Sequence, residues 1–188
     1  MPLSITGDPA ADALLDESPF ALLTGMLLDQ QIPMETAFSG PAKLRDRLGA
    51  LDPQSIAAMD PEKLAEVMKQ PPAVHRFPGS MAGRVQALAA AIVSDWGGDT
   101  AAIWTQGDPD GDEVLRRLKA LPGFGEQKAK IFLALLGKQR GLTAAGWEKA
   151  AGDYGTPGYR SVADIVDADS LTKGREHKRA MKAAAKSK

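Results

Sequence analysis

Apolar residues recur at helical spacing along most of the chain, and nowhere do they alternate strongly enough to demand a strand. The first strong stripe is Phe20, Leu23, Leu27 and Leu28, widened by Leu22 and Met26. Ser18-Pro19 starts it with a good N-cap and a proline suited to the first helical position. This helix is apolar enough to be central. Pro33 interrupts the pattern soon after Gln30-Gln31, and a second helix is predicted from Met34 to about Phe38. Short helices are expected next over Ala42–Leu48, Gln54–Met59 and Glu62–Met68, the last two announced by the capping pairs Asp52-Pro53 and Asp60-Pro61. Gln70-Pro71-Pro72 breaks the run, and Val74–Ser80 reads as a loop with a turn at Pro78-Gly79. A long helix over Met81–Trp96 has Val85, Leu88, Ala89, Ile92 and Val93 as its buried stripe, and Gly97-Gly98 ends it. A short helix at Thr100–Trp104 and a turn through Gly107–Gly111 follow. The predicted fold class is all-α.

Length and composition bound the reading. The chain of 188 residues is long enough for one domain with a real core, or two small lobes sharing a cleft. No apolar run approaches the roughly 18–20 residues of a membrane span. The first residues, Met1 to Asp8, carry neither a basic nor an apolar region of the secretory kind, so a cytoplasmic location is the default expectation. There are no cysteines, which excludes disulfides, a thiolate zinc site and a cysteine-ligated iron–sulfur cluster. Net charge is −1 with a pI near 6.1, so charge alone does not point to nucleic acid. Its distribution says more. Acidic residues crowd Asp95–Asp112, whereas the end of the chain sets Lys173, Arg175, Lys178, Arg179, Lys182, Lys186 and Lys188 against a single Glu176. That stretch is either a basic DNA-facing surface or a frayed, solvated tail.

The most informative segment runs from Gly111 to Gly137. Asp112 is expected to cap a helix whose apolar residues are Val114, Leu115, Leu118 and Leu121. Pro122-Gly123-Phe124-Gly125 stops it, and a second helix starts at Glu126 with Ala129, Phe132, Leu133 and Leu136 on one face. The two glycines can take backbone angles closed to other residues and let a ligand approach the main chain. The exposed amides that follow are an anion site suited to phosphate. Phe124 is expected to pin the turn into the core. Lys128, in the first turn of the second helix, opposes the helix dipole there, so a phosphate contact suits it better than a stabilising role. An ordinary αα-turn also uses Pro and Gly. The whole string from Leu118 to Ala129, however, closely resembles the helix-hairpin-helix motif of DNA repair proteins, L-x-x-L-P-G-[hydrophobic]-G-x-x-x-A.

Two further segments narrow the resemblance. Leu22–Ile32 resembles the L-L-x-x-x-L-x-x-Q-Q-x helix end of the HhH-GPD glycosylases, and Arg84–Ile92 is similar to the K-A-x-x-L-x-x-L-A helix between the two motifs. The likeness runs from about Phe20 to about Gly137. It implies a two-lobed helical fold, with a middle lobe over about residues 30–125 and a second lobe of 1–29 and 126–188 that includes the basic tail. It implies that Gln30, Gln31, Leu121, Gly123, Phe124, Gly125, Gln127 and Lys128 face double-stranded DNA. The implied chemistry is base excision: a damaged nucleotide is extruded into a pocket, and a carboxylate stabilises the positive charge that develops on the sugar. The resemblance also allows a potassium or sodium ion held by the hairpin carbonyls. No other cofactor, no membrane and no iron–sulfur cluster are expected.

The chain departs from that pattern where the family places its Asp, in a V-D-containing string downstream of the hairpin. The matching stretch, Thr143–Glu148, has no Asp. Glu148 is the nearest carboxylate and Asp153 comes later; these are the catalytic candidates, with Glu148 preferred, and each is also readable as a surface carboxylate. The Schiff-base lysine of bifunctional members resembles Gln127 here, while Lys128 points about 100° away around the helix, which argues against lyase activity. Trp147 and Tyr154 are candidates for the base pocket because aromatic rings stack on bases; Trp104 and Tyr159 are the other aromatics of note. The loop Gly152–Arg160 is expected to line the cleft, and Ser161–Asp164 to begin another short segment. His75 and His177 are too isolated for a metal site, and His75, beside Arg76 and Phe77, is within the range of a DNA contact. Three readings follow: a monofunctional DNA glycosylase, a non-catalytic DNA-binding or damage-sensing protein that lost the Asp, and a protein-interaction domain whose hairpin no longer touches DNA.

Overall fold

The first element, α1 (Pro9–Glu17), precedes the stripe that dominates the sequence. Asp8 caps it by accepting the Ala10 N–H at 3.0 Å, and Ala11, Leu14 and Leu15 are buried. Asp12 turns inward, where its carboxylate accepts the N–H groups of Ile5 and Thr6 at 3.1 and 2.9 Å, so a buried charge is satisfied locally. Helix α2 (Pro19–Leu28) starts as expected, with the Ser18 hydroxyl oxygen accepting the Ala21 N–H at 3.0 Å. Every residue from Phe20 to Leu28 is buried, the mark of a helix enclosed on all sides. The coordinates are a computed structural model, and they describe residues 2–186, apart from the side chain of Lys186. Lys188 therefore lies outside the described residues.

Helix α3 (Met34–Leu48) corrects the expectation of two helices, because it continues through Pro41. A proline inside a helix loses one hydrogen bond and crowds the preceding turn, but here burial of Phe38 and Leu44 on either side holds the helix on one course. Helices α4 (Pro53–Ala58) and α5 (Pro61–Lys69) follow their Asp caps. Helix α6 (Pro78–Trp96) begins three residues before the expected start, since Pro78 is the first helical residue and not part of a turn. Val93, expected in its buried stripe, is 36% exposed. After α7 (Ala102–Thr105), helix α8 (Gly111–Lys119) is capped by Asp110, which accepts the Glu113 N–H at 2.9 Å; Asp112 lies inside the first turn. Helix α9 (Glu126–Gln139) completes the hairpin. A short α10 (Trp147–Ala150), 3-10 turns at Gly152–Gly155 and Val162–Asp164, and a final helix α11 (Ala168–Lys186) close the chain.

The architecture is helical, with no strand among the described residues. Helices α4 and α5 pack on α6, where the Gln86 amide donates to the Ile56 and Met59 carbonyls at 3.1 and 2.6 Å. Helix α2 touches α1, α3, α6 and α9, so the apolar stripe read first in the sequence is the hub of the core. Helix α9 is tied to the end of the chain by Lys138–Asp164 at 2.6 Å and to α1 by Arg140–Asp16 at 2.8 Å. Through Lys186 the described part of the basic stretch is helical. Asp167 accepts the Ser170 N–H at 2.7 Å at the start of α11, and Arg175 pairs with Glu35 of α3. None of the described helices is long and apolar enough to cross a membrane.

Candidate functional site

The hairpin turn is closed by the Phe124 N–H donating to the Leu121 carbonyl at 3.1 Å. Pro122 and Gly123 are its central residues, and Gly123 has φ +82°, the left-handed value a glycine adopts freely. A Cβ on Gly123 would also stand 2.5 Å from Leu27 Cδ1, so this glycine lets the turn rest directly on α2. Gly125 differs from the expectation: its φ is −75° with extended ψ, and a Cβ there would meet nothing within 4 Å. Only one of the two glycines is therefore conformationally required. Leu121 and Phe124 are buried, and Phe124 meets Phe132 edge-on with ring centroids 6.4 Å apart. No side chain caps the start of α9, while Gly125, Glu126 and Gln127 are exposed. The first amides of α9 thus face outward, the arrangement that receives phosphate at helix N-termini.

Lys128 does not extend toward solvent. Its Nζ donates to the carbonyls of Met26 and Leu27 at 2.8 and 2.7 Å, so it caps the C-terminal end of α2. Burial pulls its pKa down to about 8, against the opposing pull of Asp29, with Arg84 adding to the depression. Asp29, the residue that ends α2, is perturbed in the other sense: burial raises its pKa above the ordinary carboxylate value, and Lys178 and Lys128 only partly offset that. Asp29 was not singled out by sequence reading, because a lone Asp beside two glutamines at a helix end carries no distinguishing pattern.

The two glutamines are placed differently. Gln30 is braced within the protein: its amide donates to the Leu27 carbonyl at 3.0 Å and its Oε1 accepts from Arg84 at 2.8 Å. Its main-chain carbonyl lies 2.9 Å from His75 Nε2. Because the Phe77 N–H donates to His75 Nδ1 at 2.9 Å, Nε2 carries the ring proton and donates to Gln30. His75 is buried, so it positions Gln30 and is not available to touch DNA. Gln31 is exposed, with φ +62°, an uncommon conformation for a side-chain-bearing residue.

A cavity of about 580 Å³ opens beside the hairpin. Met26, Asp29, Gln127, Lys128, Asp153 and Tyr154 contribute to its wall, with Arg160 from the following loop and His177 and Lys178 from α11. The Gln127 amide donates to the Tyr154 hydroxyl at 3.0 Å, joining the hairpin helix to the loop Gly152–Arg160. That volume lies in the roughly 300–1,000 Å³ range of small-molecule sites. Of the two candidate carboxylates, Asp153 lines the cavity and Glu148 does not. Glu148 is exposed on α10, with its backbone packed on Gly155. Trp147 is also outside the cavity. Its indole lies on Gly137, where a Cβ would come within 2.4 Å of the ring, and its backbone lies on Gly111. Trp104 packs against Phe132, and Tyr159 lies exposed under Lys173. Four aromatics of similar appearance in sequence thus divide: only Tyr154 reaches the cavity wall.

A second groove of about 480 Å³ runs along α11, lined by Gln31 and Met34 on one side and Arg175, Lys178, Arg179 and Lys182 on the other. Lys178 borders both spaces. No group of three or more His, Asp or Glu side chains among the described residues is placed to hold a metal ion.

A search of curated proteins finds no match to the chain. A family model described as "HhH-GPD superfamily base excision DNA repair protein" matches residues 24–186, a span that takes in the second half of α2, the hairpin, the cavity and α11. The chain therefore belongs to the HhH-GPD superfamily of base excision DNA repair proteins.

Proposed function

We propose that the protein is a cytoplasmic, monofunctional DNA glycosylase, hydrolysing the N-glycosidic bond between a damaged base and deoxyribose in double-stranded DNA. The observation that carries this reading is the sharing of one cavity wall by the hairpin helix, through Gln127 and Lys128, and by a carboxylate, Asp153. Amides at the start of α9 hold phosphate and set register without reading sequence. The extruded base enters the cavity beside Tyr154. The carboxylate of Asp153 then stabilises the cationic sugar as the bond to the base breaks. The cleft in this reading separates the middle lobe of about 30–125 from the lobe made by 1–29 and 126–188. Monofunctional chemistry fits the hairpin helix, where the position of the family's Schiff-base lysine is Gln127 and the neighbouring Lys128 Nζ is committed to two carbonyls. The hairpin also fits a monovalent cation: the Leu121 carbonyl accepts one N–H, which leaves its second lone pair for a hard ion.

One observation favours the sensor reading. In the stretch that matches the family's Asp string, Thr143–Glu148, no side chain lines the cavity. Base release from duplex oligonucleotides carrying single alkylated, deaminated or oxidised bases separates the two. Wild type is expected to release at least one lesion, Asp153→Asn to lose at least ~100-fold of that rate with binding retained, and Glu148→Gln to keep it. Tight, salt-sensitive binding with no release on any lesion would leave a damage sensor. Absence of binding would remove DNA as the partner.

A further inference from the structure

We propose that Asp29 is the general base of the reaction, taking a proton from the water that attacks the sugar carbon of the nucleotide held in the cavity. The proposal rests on the glycosylase reading above and assigns a second carboxylate to the same site.

Asp29 is held by its backbone. Its N–H donates to the Met26 carbonyl at 3.2 Å, which fixes the residue as the last of the α2 turn. Its side chain is half-buried and lines the 580 Å³ cavity. No hydrogen bond or ion pair engages its carboxylate among the described residues, and its oxygens are not sealed from solvent. Other inward-turned carboxylates are occupied: Asp12 and Asp16 accept backbone N–H groups, and Asp164 pairs with Lys138. A carboxylate kept half-buried at a cavity wall without a partner has its lone pairs open to a bound water.

The surroundings suit that role. From α9, Lys128 and Lys130 face the same space; from α11, Lys178 and His177; from the loop beyond α10, Asp153, Tyr154 and Arg160. Lys128 is locked on the carbonyls of Met26 and Leu27, one turn before Asp29, so it offsets the negative end of α2 without neutralising the carboxylate by contact. Burial outweighs the lysines and holds the Asp29 pKa above the ordinary value, which makes it a stronger base than an exposed carboxylate. Asp153, exposed on the opposing loop, is left the electrostatic task, so the two carboxylates are divided by environment. In the balanced step, the water oxygen bonds to the sugar carbon. The electron pair of the carbon–nitrogen bond leaves with the base, and one water proton passes to Asp29. That proton is then released to the departing base or to solvent.

The test is single-turnover base release, on the lesion that wild type cleaves best, from acidic to neutral pH. Wild type, Asp29→Asn, Asp29→Glu and His177→Gln are compared, with duplex binding measured in parallel. Expected is a loss of at least ~100-fold for Asp29→Asn with binding unchanged and the wild-type acidic limb displaced, Asp153 being the catalytic carboxylate that remains. Asp29→Glu should restore part of the rate with the limb displaced, and His177→Gln should keep the wild-type limb. An Asp29→Asn rate within about threefold of wild type, or an acidic limb unmoved from its wild-type position in that variant, overturns the proposal and leaves the glycosylase reading standing. A limb lost in His177→Gln overturns it equally. No release by wild type on any lesion overturns both. Should Asp29→Asn fail to fold, Asp29→Glu decides: a displaced limb supports the assignment and an unmoved one sinks it.

Discussion

Lys128 illustrates how a side chain's role depends on its reach. Its position in the first turn of α9 puts a cation against the positive end of that helix, and on local grounds a phosphate contact was the better expectation. The long stem instead carries the ammonium back to the negative end of α2. Burial makes the charge costly there, and this has a pH signature. The unfolded lysine titrates near 10.5 and the folded one near 8, so between those values the unfolded chain holds the extra proton. Stability should therefore rise as pH climbs through that window, and the contribution should be lost as pH falls through about 8. Denaturant unfolding of wild type and Lys128→Met at the two ends of the window checks this. The rise should be smaller in the variant, and equal slopes would show that Lys128 is not the source. Asp29 was illegible for the related reason that the cavity wall it joins is completed by α9 and α11, which lie about 100 residues or more further along the chain.

At the scale of elements, the hairpin was legible and its internal division of labour was not. The string Leu121–Gly125 announces a turn between helices, but both glycines look alike until the backbone is seen. Gly123→Ala should cost about 1–3 kcal/mol through its positive φ and the contact with Leu27. Gly125→Ala, at the N-cap of α9 with a negative φ, should cost less than this, about 1 kcal/mol or below, and should act mainly on DNA affinity. Thermal unfolding alongside duplex binding separates the two, and equal destabilisation would contradict this account. The misplaced boundaries have a common cause. The expected gap between Phe38 and Ala42 and the expected turn at Pro78-Gly79 are both helical, because Pro41 is carried inside α3 by packing on both sides and Pro78 starts α6. The cap of α8 fell to Asp110 and not Asp112 because neighbouring Asp residues are equivalent until the chain direction is set. Helix α1 is absent from the predicted elements, although Asp8-Pro9 has the same signature that located α4 and α5.

On the whole-molecule scale, net charge understates the basic surface. The chain carries −1 overall, but α11 sets Arg175, Lys178, Arg179 and Lys182 along one groove next to Gln31 and the hairpin cavity. If this groove holds the phosphate backbone, duplex affinity should fall with salt, and Arg179→Gln with Lys182→Gln should flatten the salt slope by about 1 per phosphate contact removed. Titrations of wild type and the double variant at several ionic strengths check this. An unchanged slope would assign α11 a purely structural role in covering the cleft. Glu35, which receives Arg175, anchors the helix to α3. The placement of α11 is thus a tertiary outcome, set by a capping Asp167 and a distant glutamate.

The helical class, the central apolar helix, the hairpin and the family are legible in the residues alone, because each depends on local periodicity or on a short string whose chemistry is complete within a few residues. The sequence also located the loop that lines the cavity, through its glycines and tyrosines. Only the tertiary structure decided which carboxylates face the cavity. Glu148 and Asp153 lie five positions apart, yet α10 turns one outward and the next turn brings the other in. It likewise placed Trp147 against Gly137 and drew Asp29 between two lysines from distant helices. Orientation and burial of a polar side chain are properties of what packs around it, and that is written across the whole chain, not at the residue.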